Sequence, residues 1–320
     1  TVLAMSSAAA LNISAYADSA NTQQVSYNYW YNSSTGYTDE NVHTRQMEKL
    51  DRGLIAIKTD GGVYLSWRLF DSEDNIFGSA DKNMSFNVYR DGKKISEVAT
   101  KTNYVDSTVG TNYSVAPVIN GVEGEKCDAV TVYNNSYFDI PLSKPDDETI
   151  YDPSGNELAT YSFFPADCST GDVDGDGEYE IIVKWTSSER DVGSPGDPAY
   201  SGTVHLAAYK LDGTKLWNND IELGKNVYSS AHTVQFLVYD FDGDGKSEVM
   251  CQTSLGSKDG QGKYVSNAAQ TDEEIKAITD EENSTADYRG YGRITEGKEF
   301  LTVFNGETGV AMDTINLPTT

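Results

Sequence analysis

The chain of 320 residues carries 50 Asp and Glu against 24 Lys and Arg, a formal net charge of -26. That balance excludes nucleic acid as a partner, because too few cations exist to displace phosphate counterions, and it does not suit an anionic membrane surface. A composition 38% hydrophobic and 11% aromatic, with 21 Tyr, is too apolar for a disordered acidic chain, and the length suits two domains.

Thr1 to Ala17 is apolar and small, and it closes on Ala15-Tyr16-Ala17 before Asp18. An Ala-x-Ala site after such a run reads as a signal-peptide remnant over residues 1–20, so the protein is expected to be secreted. The stretch is too short and too polar to span a bilayer. Residues 21–45, rich in Tyr, Asn, Ser and Thr, read as a linker. Cys127, Cys168 and Cys251 have no metal-binding spacing, and an odd number in an exported chain leaves at least one unpaired.

Residues 46–135 read as a β-sandwich. Val63 to Leu69 alternates large and polar side chains, as a half-buried strand does. Phe86 to Arg90 is a second run, and Asp91-Gly92 after it signals a hairpin. Further runs follow at Thr102 to Val105, at Asn112 to Ile119 before Asn120-Gly121, and at Ala129 to Tyr133. This density of short strands fits a fibronectin-III-like module, with Trp67 as core tryptophan and Tyr113 as corner tyrosine.

Residues 136–320 contain a repeat. Each copy has an acidic loop, a strand and a hairpin. The loops start at Asp172 and Asp240, 68 residues apart, and the hairpin turns at Asp212 and Asn305, 93 apart. The difference of 25 is an insertion in the second copy, in which Thr271 to Glu282 reads as a short acidic helix. Units of several strands at a long period are expected to be blades of a β-propeller. Two blades cannot close a ring, so the expected fold class is all-β, a sandwich followed by a partial propeller.

The loops carry the chemistry. The first places Asp172, Asp174, Asp176, Glu178 and Glu180 within nine residues, and the second places Asp240, Asp242, Asp244, Lys246 and Glu248 at the same offsets. Carboxylates at the first, third and fifth positions converge because the chain turns at a glycine in the sixth. The seventh residue, Glu178 or Lys246, offers its carbonyl. Such hard oxygen ligands suit Ca2+. An EF-hand needs an acid at the twelfth position, which here is Val183 or Cys251. The closing acid falls at the ninth position instead and opens a strand. Without a cation these acids repel one another, so calcium is the expected cofactor.

Residues along the chain resemble the family 11 rhamnogalacturonan lyases. The likeness is carried by Gln46 to Gly53, Leu65 to Arg68, Phe86 to Arg90, Gly171 to Trp185, Ala208 to Thr214, Gln235 to Glu248, Ala286 to Arg289 and Leu301 to Phe304, in order. The resemblance implies a small sandwich followed by a calcium-binding propeller. It implies cleavage of the rhamnogalacturonan I backbone of pectin by β-elimination, so a pectic polysaccharide is the expected partner of what is expected to be a monomer. Several positions depart from that family's pattern: Ala166 and Thr186 replace polar residues around Asp167 and Lys184-Trp185, and Tyr228 to His232 and Gln252 to Gly256 also differ. Asp167, Thr186, His232 and Gln252 are the candidate substrate contacts, and His232, as base or ligand, and Lys184, facing a sugar acid, are the candidate catalytic residues. A catalytically inactive, calcium-dependent carbohydrate-binding or adhesion module on the same scaffold is the second reading.

Overall fold

The structure is a computed structural model that describes residues 15–17, 23–27, 43–46, 48–70, 73, 84–99, 101–151, 156–187, 202–224, 234–254, 256–265 and 299–317. The chain divides into two compact units, Thr1–Asp139 and Ile140–Thr320. Among the described residues there is no α-helix. The helix expected over Thr271 to Glu282 lies outside the described residues, as does His232.

In the first unit, β1 (Ala15–Ala17), β2 (Gln23–Tyr27) and β3 (His43–Gln46) pair as an antiparallel sheet within the stretch read from sequence as leader and linker. The strands β4 (Ile55–Thr59), β5 (Gly62–Ser66), β6 (Met84–Arg90), β7 (Lys93–Ala99), β8 (Asn103–Asp106), β9 (Asn112–Ile119), β10 (Val122–Glu123) and β11 (Val130–Thr131) follow. They form a β4-β5-β8 sheet and a β10-β9-β6-β7 sheet, with β11 also paired to β9. Alternation along the strands turns Val63 and Leu65, and Phe86 and Val88, into one apolar cluster with Trp67, whose ring meets Phe86 edge-on at 5.3 Å. Asp91-Gly92 and Asn120-Gly121 all have positive φ (49°, 77°, 53° and 80°), the geometry of a tight hairpin whose twist matches its strands.

Tyr113 is a corner tyrosine as its position foretold. It is 1% exposed, and its hydroxyl lies 2.9 Å from Asp106 Oδ2 and accepts the Gly110 amide at 2.9 Å. Burial alone would raise the Asp106 carboxyl. The Thr108 amide, Arg90 at 2.7 Å and Tyr113 together hold it below the usual range.

The second unit opens with the hairpin β12 (Glu148–Tyr151) and β13 (Glu157–Tyr161). Two four-stranded antiparallel meanders follow. The first is β14 (Phe164–Gly171), β15 (Glu180–Thr186), β16 (His205–Tyr209) and β17 (Ile221–Glu222). The second is β18 (Phe236–Tyr239), β19 (Glu248–Ser254), β20 (Glu299–Phe304) and β21 (Ala311–Asn316). One apolar cluster draws on both, with Ile182, Leu206 and Trp217 from the first against Phe236, Val249 and Phe304 from the second. The Trp217 indole donates to the Gly306 carbonyl at 2.8 Å across this seam, and a side chain on Gly306 would collide with the Ser247 carbonyl. All three cysteines are free thiols.

Tyr113→Phe removes a hydroxyl that neither Arg90 nor Thr108 can replace, so it is expected to destabilise the sandwich by about 1–2 kcal/mol in denaturant unfolding. An unchanged midpoint would mean that the ring acts by packing alone.

Candidate cation loops and the strands beside them

Each acidic loop is folded by its own carboxylates. Asp172 Oδ1 accepts the Gly175 amide at 2.7 Å and Oδ2 the Gly177 amide at 3.0 Å, while Glu180 Oε2 accepts the Val173 amide at 3.0 Å. The second loop repeats the pattern: Asp240 takes Gly243 at 2.6 Å and Gly245 at 3.0 Å, and Glu248 takes Phe241 at 2.8 Å. The turns need positive φ at Gly175 and Gly177 (80° and 93°), and at Gly243 and Gly245 (84° and 95°).

This folding brings carboxylate oxygens of Asp172, Asp174 and Glu180 within 4.8 Å of one another, and likewise those of Asp240, Asp242 and Glu248. Asp172, Glu180, Asp240 and Glu248 are all buried. With oxygen donors alone, either set can hold a hard divalent cation. The other residues expected in the loops are placed differently. The Asp176 carboxylate turns to Lys210, and Asp244 Oδ1 accepts the Lys246 amide at 2.8 Å. The Lys246 ammonium pairs with Glu307 at 2.6 Å, and the Glu178 amide donates to Asp176 at 2.9 Å.

Burial and crowding raise the loop glutamates. Burial, and then the charges of Asp174 and Asp176, push the Glu180 carboxyl up to about 7 against the pull of the Val173 amide. Glu248 is raised for the same reason, burial first and its loop acids after. The loops differ in one respect. Lys210 Nζ lies 2.6 Å from Asp174 and 2.7 Å from Asp176 in the first. Counted back from the hairpin turn, the matching residue in the second copy is Val303. Sequence reading passed over Lys210, although this break in the repeat was its signal.

The two loops are joined. The Ser247 amide donates to the Asp172 carbonyl at 2.8 Å.

Lys184 and Asp167 are register partners across β14 and β15, and Lys184 Nζ stands 3.7 Å from Asp167 Oδ2. Lys184 is 0% exposed, and burial lowers its pKa against the opposing pull of Asp167. Its ammonium also reaches toward the Val234 carbonyl at 3.5 Å. Enclosed in this way, it ties the strands together inside the fold. Thr186 is also 0% exposed, paired with Phe164, and the register skips at Ala166, between Pro165 and Asp167. Gln252 stands on β19 in the second meander, opposite Leu301, so among the described candidates the structure joins Asp167 and Lys184 alone.

The fold and its loops define an all-β protein with two matching acidic loops. Residues 137–320 match the profile of the rhamnogalacturonan lyase family 11 C-terminal domain, and residues 45–133 that of the rhamnogalacturonan I lyase β-sheet domain. The chain is 45% identical over 277 residues to the rhamnogalacturonan endolyase YesW of Bacillus subtilis (strain 168), covering 85% of this chain and 39% of that protein. It is 41% identical over 277 residues to the rhamnogalacturonan exolyase YesX of the same organism, covering 85% and 40%. The crystal structure of YesW aligns with a TM-score of 0.67 at 44% identity, covering 86% of this chain and 42% of that one. A Bacillus licheniformis rhamnogalacturonan lyase also aligns with a TM-score of 0.67 at 44% identity, covering 86% and 43%. The chain belongs to rhamnogalacturonan lyase family 11. It spans about two fifths of the length of these curated relatives.

Because the Glu180 carboxyl is raised from 4.5 to about 7, the folded state binds its proton more tightly than the unfolded chain does. Stability from this group is present below pH 4.5 and is lost as pH rises through 7. In chelator, thermal unfolding is therefore expected to fall in midpoint between pH 5 and 8, and Glu180→Gln should flatten that fall. A midpoint that rose with pH, or an unchanged slope in the variant, would contradict the assignment.

Proposed function

We propose that the protein is a secreted polysaccharide lyase that cleaves the rhamnogalacturonan I region of pectin by β-elimination, with calcium held in the two acidic loops. The observation that carries this reading is the ordered match of both lyase domains, at residues 45–133 and 137–320. Support for calcium comes from the oxygen-only donor sets and from the proton affinity that crowding gives Glu180. The two meanders, similar in strand order and sharing one apolar seam, are proposed to be blades of a propeller. Among the described residues no membrane-spanning helix is present.

In β-elimination a base takes the proton at C5 of galacturonate, the C4–C5 double bond forms, and the oxygen expelled from C4 takes up a proton or a cation. A cation, either calcium or a Lys or Arg, would neutralise the sugar carboxylate, so that the developing enolate is tolerable. On a chain of charge -26 the same neutralisation lets a polyanion approach. The roles of this chain's own groups are narrower. Asp172, Asp174 and Glu180, with Asp240, Asp242 and Glu248, would hold the ions. The Lys184 ammonium, enclosed beside Asp167, would fix β15 against β14.

Ala166 at the register skip and the buried Thr186 favour a second reading, a calcium-dependent carbohydrate-binding module without turnover. Incubation of the protein with rhamnogalacturonan I and calcium separates the two. Rising ultraviolet absorbance from a 4,5-unsaturated uronate, abolished by chelator, is the expected result. Retention on the polysaccharide with no rise at any pH would reject the lyase and leave the binding module.

Lys210 competes with an ion for Asp174 and Asp176, so the first loop should bind calcium more weakly than the second. Calorimetric titration of Lys210→Met is expected to show a gain of about tenfold in the weaker site, about 1.4 kcal/mol. Unchanged or weaker binding would remove Lys210 from the account.

A further inference from the structure

The second unit holds a cavity of about 320 Å³ away from the acidic loops, between β12, β16 and β17 on one side and the segment from Gly256 to Tyr264 on the other. Phe163, 2% exposed, meets His205 edge-on at 4.7 Å, and the Tyr264 ring lines another part of the wall. Three carboxylates border the space: Asp146, Glu148 and Glu222. Two of them are already engaged. Glu148 accepts the Thr203 amide at 2.7 Å and hydroxyl at 3.0 Å, and Glu222 pairs with Lys258 at 3.1 Å.

The volume sits at the small end of the ligand-site range, enough for one ring and not for a length of polymer. Three carboxylates against one ammonium repel an anionic ligand. Among the described residues a cation would meet Asp146 beside two carboxylates already engaged, and no group of three metal ligands converges here. What remains is a wall of hydrogen-bond acceptors, one ammonium donor and aromatic carbon. That combination meets a molecule with several hydroxyls around a ring whose C–H face is apolar. Burial lowers the His205 pKa, which keeps the ring neutral and consistent with an uncharged occupant.

We propose that this pocket binds a single neutral sugar ring, as a site separate from the acidic loops. Binding is read without turnover, so the proposal stands or falls apart from the lyase reading. The test is titration of the isotope-labelled protein with methyl galactoside, rhamnose and arabinose, with galacturonate and spermidine as charged controls, followed by amide chemical shifts. Saturable shifts at Thr203, His205, Gly224 and Gly256 are expected for at least one neutral sugar, with galacturonate about tenfold weaker or more. Lys258→Met, a change at a half-exposed ion pair, should weaken the neutral sugar about fivefold or more while the remaining spectrum is kept. The proposal is overturned if no neutral sugar saturates, if the shifts lie elsewhere, if either charged control binds as tightly, or if Lys258→Met leaves the affinity unchanged.

Discussion

Packing carboxylates at the mouths of buried strands is the constraint on which the second unit depends. Glu180 and Glu248 each end an acidic loop and begin a strand whose next residues enter the apolar seam: Ile182 and Val249 are both 0% exposed. Ionising these carboxyls costs energy in proportion to their burial, and the strands cannot be buried without them. The Ser247 amide on the Asp172 carbonyl makes the two loops one unit, so whatever relieves the charge in one is felt in the other. A hard cation at each loop is the economical relief, because it accepts several oxygens at once.

The first unit meets the same problem with other means. Asp106 is buried as Asp172 is, yet Arg90, Tyr113 and the Thr108 amide satisfy it from within the chain. The result is opposite in sign. Asp106 is held below the usual carboxylate range, whereas Glu180 is lifted to about 7. Asp106 is thus satisfied by its own neighbours, while the loop glutamates are crowded by further acids. Lys210 stands between these cases. It is a side-chain cation placed on two loop acids, present in one copy of the repeat and replaced by Val303 in the other.

Local chemistry was legible in the sequence. The turns at Asp91-Gly92 and Asn120-Gly121, the corner role of Tyr113 and the convergence of Asp172, Asp174 and Glu180 all follow from residue type and spacing, and each stands where the pattern placed it. Strands of low apolar content were harder to find. In β7 only Val98 is buried, because it is the edge of its sheet, and in β4 only Ala56 is. Neither shows the alternation that marks β5 and β6. The burial of Lys184 was not legible either, because the run Ile181 to Trp185 is covered on both faces only once the meanders pack. The pocket could not be read at all, since its walls come from Asp146 to Tyr264 and meet only through folding.

The central claim is that hard cations lie among the loop carboxylates and relieve their charge. Crystals of the protein grown with calcium, measured at a wavelength that brings out its anomalous scattering, test it most directly. The account predicts two peaks, one among Asp172, Asp174 and Glu180 and one among Asp240, Asp242 and Glu248, with the Lys210 ammonium withdrawn from Asp174. Loops holding only water, with Lys210 still on both acids and both glutamates protonated, would contradict it.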